Sequence, residues 1–122
     1  MKSTLRIKRV YEAPAKEDGT RVLVDRIWPR GLSKQQAAVD EWMKVIAPSS
    51  DLRSWFGHDP QRWPEFCERY FKELGSAPDT VSRLVALMSD RTVTLLFAAR
   101  DTECNNAVAL VEYIAMHKRK HD

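Results

Sequence analysis

Two short stretches, residues 21–27 (Arg-Val-Leu-Val-Asp-Arg-Ile) and 92–98 (Thr-Val-Thr-Leu-Leu-Phe-Ala), are dominated by aliphatic and β-branched side chains. A strand with one wet face alternates polar with apolar residues. A nearly unbroken apolar run calls for cover on both faces, as in a parallel sheet between helix layers. The chain around them supplies the helices. Trp63, Phe66, Tyr70 and Leu74 recur at three or four, the stripe of a helix packed on a sheet. Asp59-Pro60 is its entry signal, Pro64 delays regular helix by a turn, and Gly75 ends it. Pro78 opens the next helix, with Val81, Leu84, Val85 and Met88 on its inner face. Asp101 or Thr102 is expected to cap the last one, whose apolar face is Ala107, Val108, Val111, Ile114 and Ala115.

The remaining elements are shorter. Residues 4–10, with Leu5 and Ile7 set among Arg6, Lys8 and Arg9, read as a first strand, and the loop after them closes at Asp18-Gly19. Ser33 caps a short helix over 34–38, and residues 39–46 read more as strand than helix before Pro48. Strands alternating with helices predict an α/β fold, a three-layer Rossmann-like domain with a small, largely parallel sheet of about four strands flanked by helices. At 122 residues, 43% hydrophobic and 30% charged, the composition is that of one domain, expected over residues 1–117. No apolar run approaches the ~20 residues a bilayer requires, and no apolar leader follows the start, so a cytoplasmic, non-membrane protein is expected. Cys67 and Cys104 lie far apart, with no C-x-x-C pair, and are read as reduced thiols.

The formal net charge of +3 is unevenly placed. Residues 1–9 hold four bases and no acid, and Lys118, Arg119 and Lys120 form a basic tail over 118–122, expected to be solvated and disordered. Between them thirteen bases face sixteen acids, so the body is mildly acidic. A nucleic-acid partner bound through a basic stripe is therefore not expected to be specific.

In open α/β sheets ligands bind beyond the carboxyl ends of the strands. That rule selects residues 25–31, 48–53 and 100–106. They carry Arg26, Arg30, Arg53 and Arg100, with Ser49 and Asn105 as polar partners and Trp28 as a stacking wall for an anionic small molecule. Asp25 is the candidate carboxylate for acid or base work, and His58 the one imidazole placed for proton transfer. The competing reading pairs these arginines with Asp25, Asp51 and Asp101 as structural bridges. Cys104 makes a poor phosphatase nucleophile, because position 110, where a phosphate-cradling Arg would stand, is Leu. No Walker or G-x-G-x-x-G loop exists, since the four glycines stand alone; the cofactor is left unknown, and no residue is assigned to a metal. Trp55, in a loop-like context, could instead serve a protein-interaction surface.

The run Arg21-Val-Leu-Val-Asp25-Arg26-Ile-Trp28-Pro-Arg30-Gly31, then Ala47-Pro48-Ser49 with Leu52-Arg53, Phe56-Gly57-His58-Asp59-Pro60, and Leu95-Leu96-Phe97-Ala98-Ala99 with Asn105, resembles the YeaO-like proteins, a bacterial domain of unknown function. The resemblance covers nearly the whole chain and implies a cytoplasmic α/β domain. It draws attention to Asp25, Arg26, Trp28, Arg30, Ser49, Arg53 and Asn105 as motif positions, and it supplies no reaction. Arg100 stands where relatives often have Lys, and Asn106 where some have His. An amide cannot take a proton near neutral pH, so a base expected at position 106 is missing here.

Overall fold

A computed structural model describes residues 4–121, with side chains through Met116. Its strands are β1 (Thr4–Arg9), β2 (Thr20–Leu23), β3 (Glu41–Trp42) and β4 (Thr92–Phe97). Its helices are α1 (Lys34–Ala37), α2 (Ser50–Phe56), α3 (Trp63–Gly75), α4 (Pro78–Met88) and α5 (Asn106–His121). Short 3-10 turns stand at Lys16–Asp18, Lys44–Ile46 and Pro60–Arg62. The strands form one sheet in the order β1-β4-β2-β3, and every pairing is parallel.

Alternation along the two central strands divides the core. Val22, Val24, Val93, Leu95 and Phe97 join Leu52, Phe66, Tyr70, Leu84 and Leu110 in the larger apolar cluster, so α2 through α5 cover that face. Leu23 and Leu96 point the other way and meet Val10, Ala37, Trp28 and Trp42. The three layers are therefore unequal, with four helices on one side and a single short helix with its loops on the other. The expected stripe on α3 is in place, with Phe66, Tyr70 and Leu74 buried. Tyr70 lies wholly in the core because its hydroxyl donates to the Ile46 carbonyl at 2.7 Å.

Several expectations change. The strand expected over 21–27 stops at Leu23: Val24 still donates to Leu96, but Asp25 uses its side chain, rather than its backbone, to reach Ala98. Residues 39–46 give a strand of only two residues followed by a 3-10 turn. Residues 50–56, read as loop, form α2, which places Trp55 on a helix. There Arg62 and Arg69 stack on its ring, with Arg69 at 4.3 Å from the centroid. Asp101 caps a turn by accepting from the N–H groups of Glu103 and Cys104, while α5 is capped by Asn105, whose Oδ1 accepts from Val108 N–H at 2.9 Å. On α5 the buried residues are Ala107, Ala109, Leu110 and Ile114, and Ala115 is exposed. The solvated tail expected over 118–122 falls on side chains outside the described residues.

Candidate functional site

The chain leaves β2 toward α1 on the thin face of the sheet, and leaves β4 toward α5 on the thick face. Adjacent strands whose continuations part in opposite directions open a crevice at their carboxyl ends. A cleft of about 1190 Å³ lies there. All three segments selected from the sequence line it, through Asp25, Arg26, Trp28 and Arg30, then Arg53, then Arg100 and Asn105; His58 joins them.

The arginines differ in how they are engaged. Arg26 donates through Nε to the Pro48 carbonyl and through Nη2 to that of Ala47, both at 3.2 Å, and so ties the end of β2 to the approach to α2. Arg30, Arg53 and Arg100 are exposed and make no ion pair with a carboxylate among the described residues. Close bridges to Asp25, Asp51 and Asp101 are thus not formed, although the Arg53 charge is felt at Asp25.

Asp25 sits at the junction of the elements. Its Oδ2 accepts from Ala98 N–H at 2.9 Å and its Oδ1 from the Asn106 amide at 2.9 Å. Burial raises its carboxyl above the ordinary aspartate value, against the opposing pull of the Asn106 amide, the Ala98 N–H and the Arg53 guanidinium. His58 follows Gly57 with a left-handed backbone, φ 59°, and its charge helps hold the Asp101 carboxyl low, after the N–H groups of Cys104 and Glu103. A non-glycine residue held there at the mouth of a cleft is a strained position.

Other expected site residues make hydrogen bonds within the fold. Ser49 does not line the cleft: its hydroxyl donates to Glu73 Oε2 at 2.6 Å while accepting from Leu52 N–H, so it caps α2 and ties it to α3. Asn105 borders the cleft, but its amide nitrogen donates to the Asp101 carbonyl and its oxygen caps α5. Trp28 borders it too, with its indole N–H on the Leu32 carbonyl at 2.7 Å and its ring edge-on to Trp42. Sequence reasoning missed Tyr11, which follows β1 and donates to the Arg30 carbonyl at 3.0 Å. Asn106, within the selected segment 100–106 but not singled out as a site residue, lines the cleft as well.

Neither thiol is activated. Burial raises the Cys104 thiol, and the neighbouring Asp101 and Glu103 charges add to this. Cys67, a free thiol, is pushed up to about 11 by burial, with Glu112 and Cys104 contributing. In native protein near pH 8, alkylation of Cys67 is expected to be roughly a hundredfold slower than that of an ordinary thiol, since the thiolate is the reactive form. Denaturation should release both groups. Rapid native labelling of Cys67, read by peptide mass, would contradict its placement. Among the described residues no cluster of three or more metal-ligating side chains forms, and no helix is long and apolar enough to cross a membrane.

An all-parallel three-layer domain with an arginine-bearing crevice at its sheet's carboxyl edge defines the class. Within that class the chain belongs to the YeaO-like proteins, and the family model described as the inactive DUF488-N3 subclade matches residues 4–122. It is 38% identical over 110 residues to YeaO of Escherichia coli (strain K12), covering 90% of this chain and 96% of that one. It is 40% identical over 110 residues to Rv3073c of Mycobacterium tuberculosis (strain ATCC 25618 / H37Rv) and to Mb3100c of Mycobacterium bovis (strain ATCC BAA-935 / AF2122/97), covering 90% of this chain and 92% of each relative. No solved structure matches it.

Proposed function

We propose that the cleft binds a small anionic molecule through Arg30, Arg53 and Arg100 and does not transform it. The observation that carries this reading is the set of three exposed guanidiniums lining one cleft, none of them in an ion pair with a carboxylate among the described residues. Their mutual repulsion favours an anion among them, and a guanidinium fork matches phosphate or carboxylate geometry. Binding without chemistry is supported by the raised Cys104 thiol, by an amide at position 106, and by the word "inactive" in the subclade's description. The bases of β1 weaken a nucleic-acid reading. Lys8 is bound to Asp18 and Arg9 to the carbonyls of Ala98 and Ala99. We take the protein to be cytoplasmic, which its two free thiols support.

Inorganic phosphate is expected to raise the melting temperature, because a ligand at 100 times its Kd adds about 2.7 kcal/mol to the folded state. Arg30→Ala and Arg53→Ala should each abolish the rise while leaving the far-ultraviolet circular dichroism spectrum intact. A wild-type protein indifferent to phosphate, sulfate and nucleotides alike would remove the anion site.

A further inference from the structure

The arginines bring only donors to the cleft; Asn106 and Asp25, which also line it, bring acceptors. The Asn106 amide nitrogen donates to the Val24 carbonyl at 2.9 Å and to Asp25 Oδ1 at 2.9 Å. Both partners are acceptors, so the amide is fixed with nitrogen toward them, and its oxygen is left without a partner. That oxygen is reachable, since no buried side-chain oxygen or nitrogen among the described residues lacks a hydrogen bond and Asn106 lines the cleft. Asp25 adds two oxygens that accept one bond each and retain capacity for more. The Ala98 N–H beside them is already used. A ligand that presented only negative charge would satisfy the arginines and meet bare acceptors here.

We infer that the ligand is an amino-bearing anion, with a phosphate or carboxylate for Arg30, Arg53 and Arg100 and an ammonium or amino N–H for Asp25 and Asn106. This deepens, and rests on, the reading of the cleft as an anion site. The volume agrees, because about 1190 Å³ far exceeds one phosphate and leaves room for a molecular body along Trp28, Phe56 and Phe66. A nitrogen donor would also offset the burial that disfavours the Asp25 carboxylate. Such a donor occurs on an aminated aromatic base and on an aliphatic amine, and the two are separable.

Two matched pairs test the inference by calorimetry: AMP against purine riboside monophosphate, and phosphoethanolamine against ethyl phosphate. In at least one pair the amino member should bind tenfold or more tightly, since a site built to accept a hydrogen bond discriminates against the analogue that cannot donate it. The pair that discriminates identifies the source. Asn106→Ala and Asp25→Ala should bring the two members of that pair together, with phosphate still raising the melting temperature. If neither variant folds, the Asn106 side-chain amide resonances of the wild type decide, shifting with the amino member and not with its analogue. Equal affinities within both pairs, alongside intact phosphate binding, would overturn the inference and leave the anion site standing. Loss of all binding, phosphate included, would remove both.

Discussion

Asp18→Ala is expected to cost about 3–5 kcal/mol, the range for removing one partner of a buried ion pair, out of the roughly 5–15 kcal/mol that holds a domain folded. Asp18 is 2% exposed and Arg21 4%. The carboxylate receives Arg21 Nη1 at 2.5 Å, Lys8 Nζ at 3.1 Å and the Ala15 N–H at 3.0 Å. Arg21 spends its other nitrogens on the carbonyls of Ala37 and Ala38, so the single substitution leaves a guanidinium inside the protein with neutral partners only. Burial by itself would raise the Asp18 carboxyl, but the Ala15 N–H, Lys8 and Arg21 together hold it below the ordinary value. The sign of the pH effect follows. A depressed carboxyl adds stability that is full above its unfolded pKa, about 3.9, and is lost as pH falls through the lower folded value. Urea denaturation should show a lower midpoint with unchanged slope, and the wild type should lose its advantage over Asp18→Ala in acid. A drop of under about 1 kcal/mol at neutral pH would mean that the charges are solvated and the cluster is not a structural keystone.

That cluster shows where the sequence could be read and where it could not. The continuous apolar runs announced a sheet covered on both faces, because such a pattern has few other uses. The topological rule then found the cleft, because strand ends are legible even when their exact last residue is not. Ser49, Asn105 and Arg26 carry backbone and capping bonds that the sequence did not announce, for one physical reason. A hydroxyl, an amide or a guanidinium near a strand end can serve a ligand or the backbone with the same hydrogen bonds, and the choice depends on what tertiary structure brings within 3 Å. Ser49 found Glu73, 24 residues away. Helix α2 escaped notice because its buried face consists of only Leu52 and Phe56, too few turns for a period to declare itself. Asp101 and Asn105 both make Asx-type caps four residues apart, so sequence placed the start of the last helix one turn early.

Gly19→Ala should be the second large loss, and the argument lies in backbone proximity. Gly19 has φ 65° and ψ −133°, a conformation costing a side chain roughly 1–3 kcal/mol. A Cβ built there would lie 2.3 Å from the carbonyl oxygen of Thr92 and 2.9 Å from its carbonyl carbon. Neither atom can rotate aside, because Thr92 opens β4, which is paired on both sides by β1 and β2. The sheet must shift at its amino edge, so the clash adds to the conformational strain for a total of about 3 kcal/mol or more. Gly31 supplies the control. Its φ is 83°, also unfavourable to a side chain, yet a Cβ there meets nothing within 4 Å, so Gly31→Ala should lose only the strain, about 1 kcal/mol. Equal losses in the two variants would show that φ alone sets the cost and that the close approach to Thr92 is not felt. The position also separates stability from binding. Gly19 precedes β2 and faces the first residue of β4, at the end of the sheet opposite the cleft. Gly19→Ala protein, studied at a temperature where it remains folded, should therefore bind phosphate with wild-type affinity, whereas Arg53→Ala should melt as wild type does without ligand and bind none.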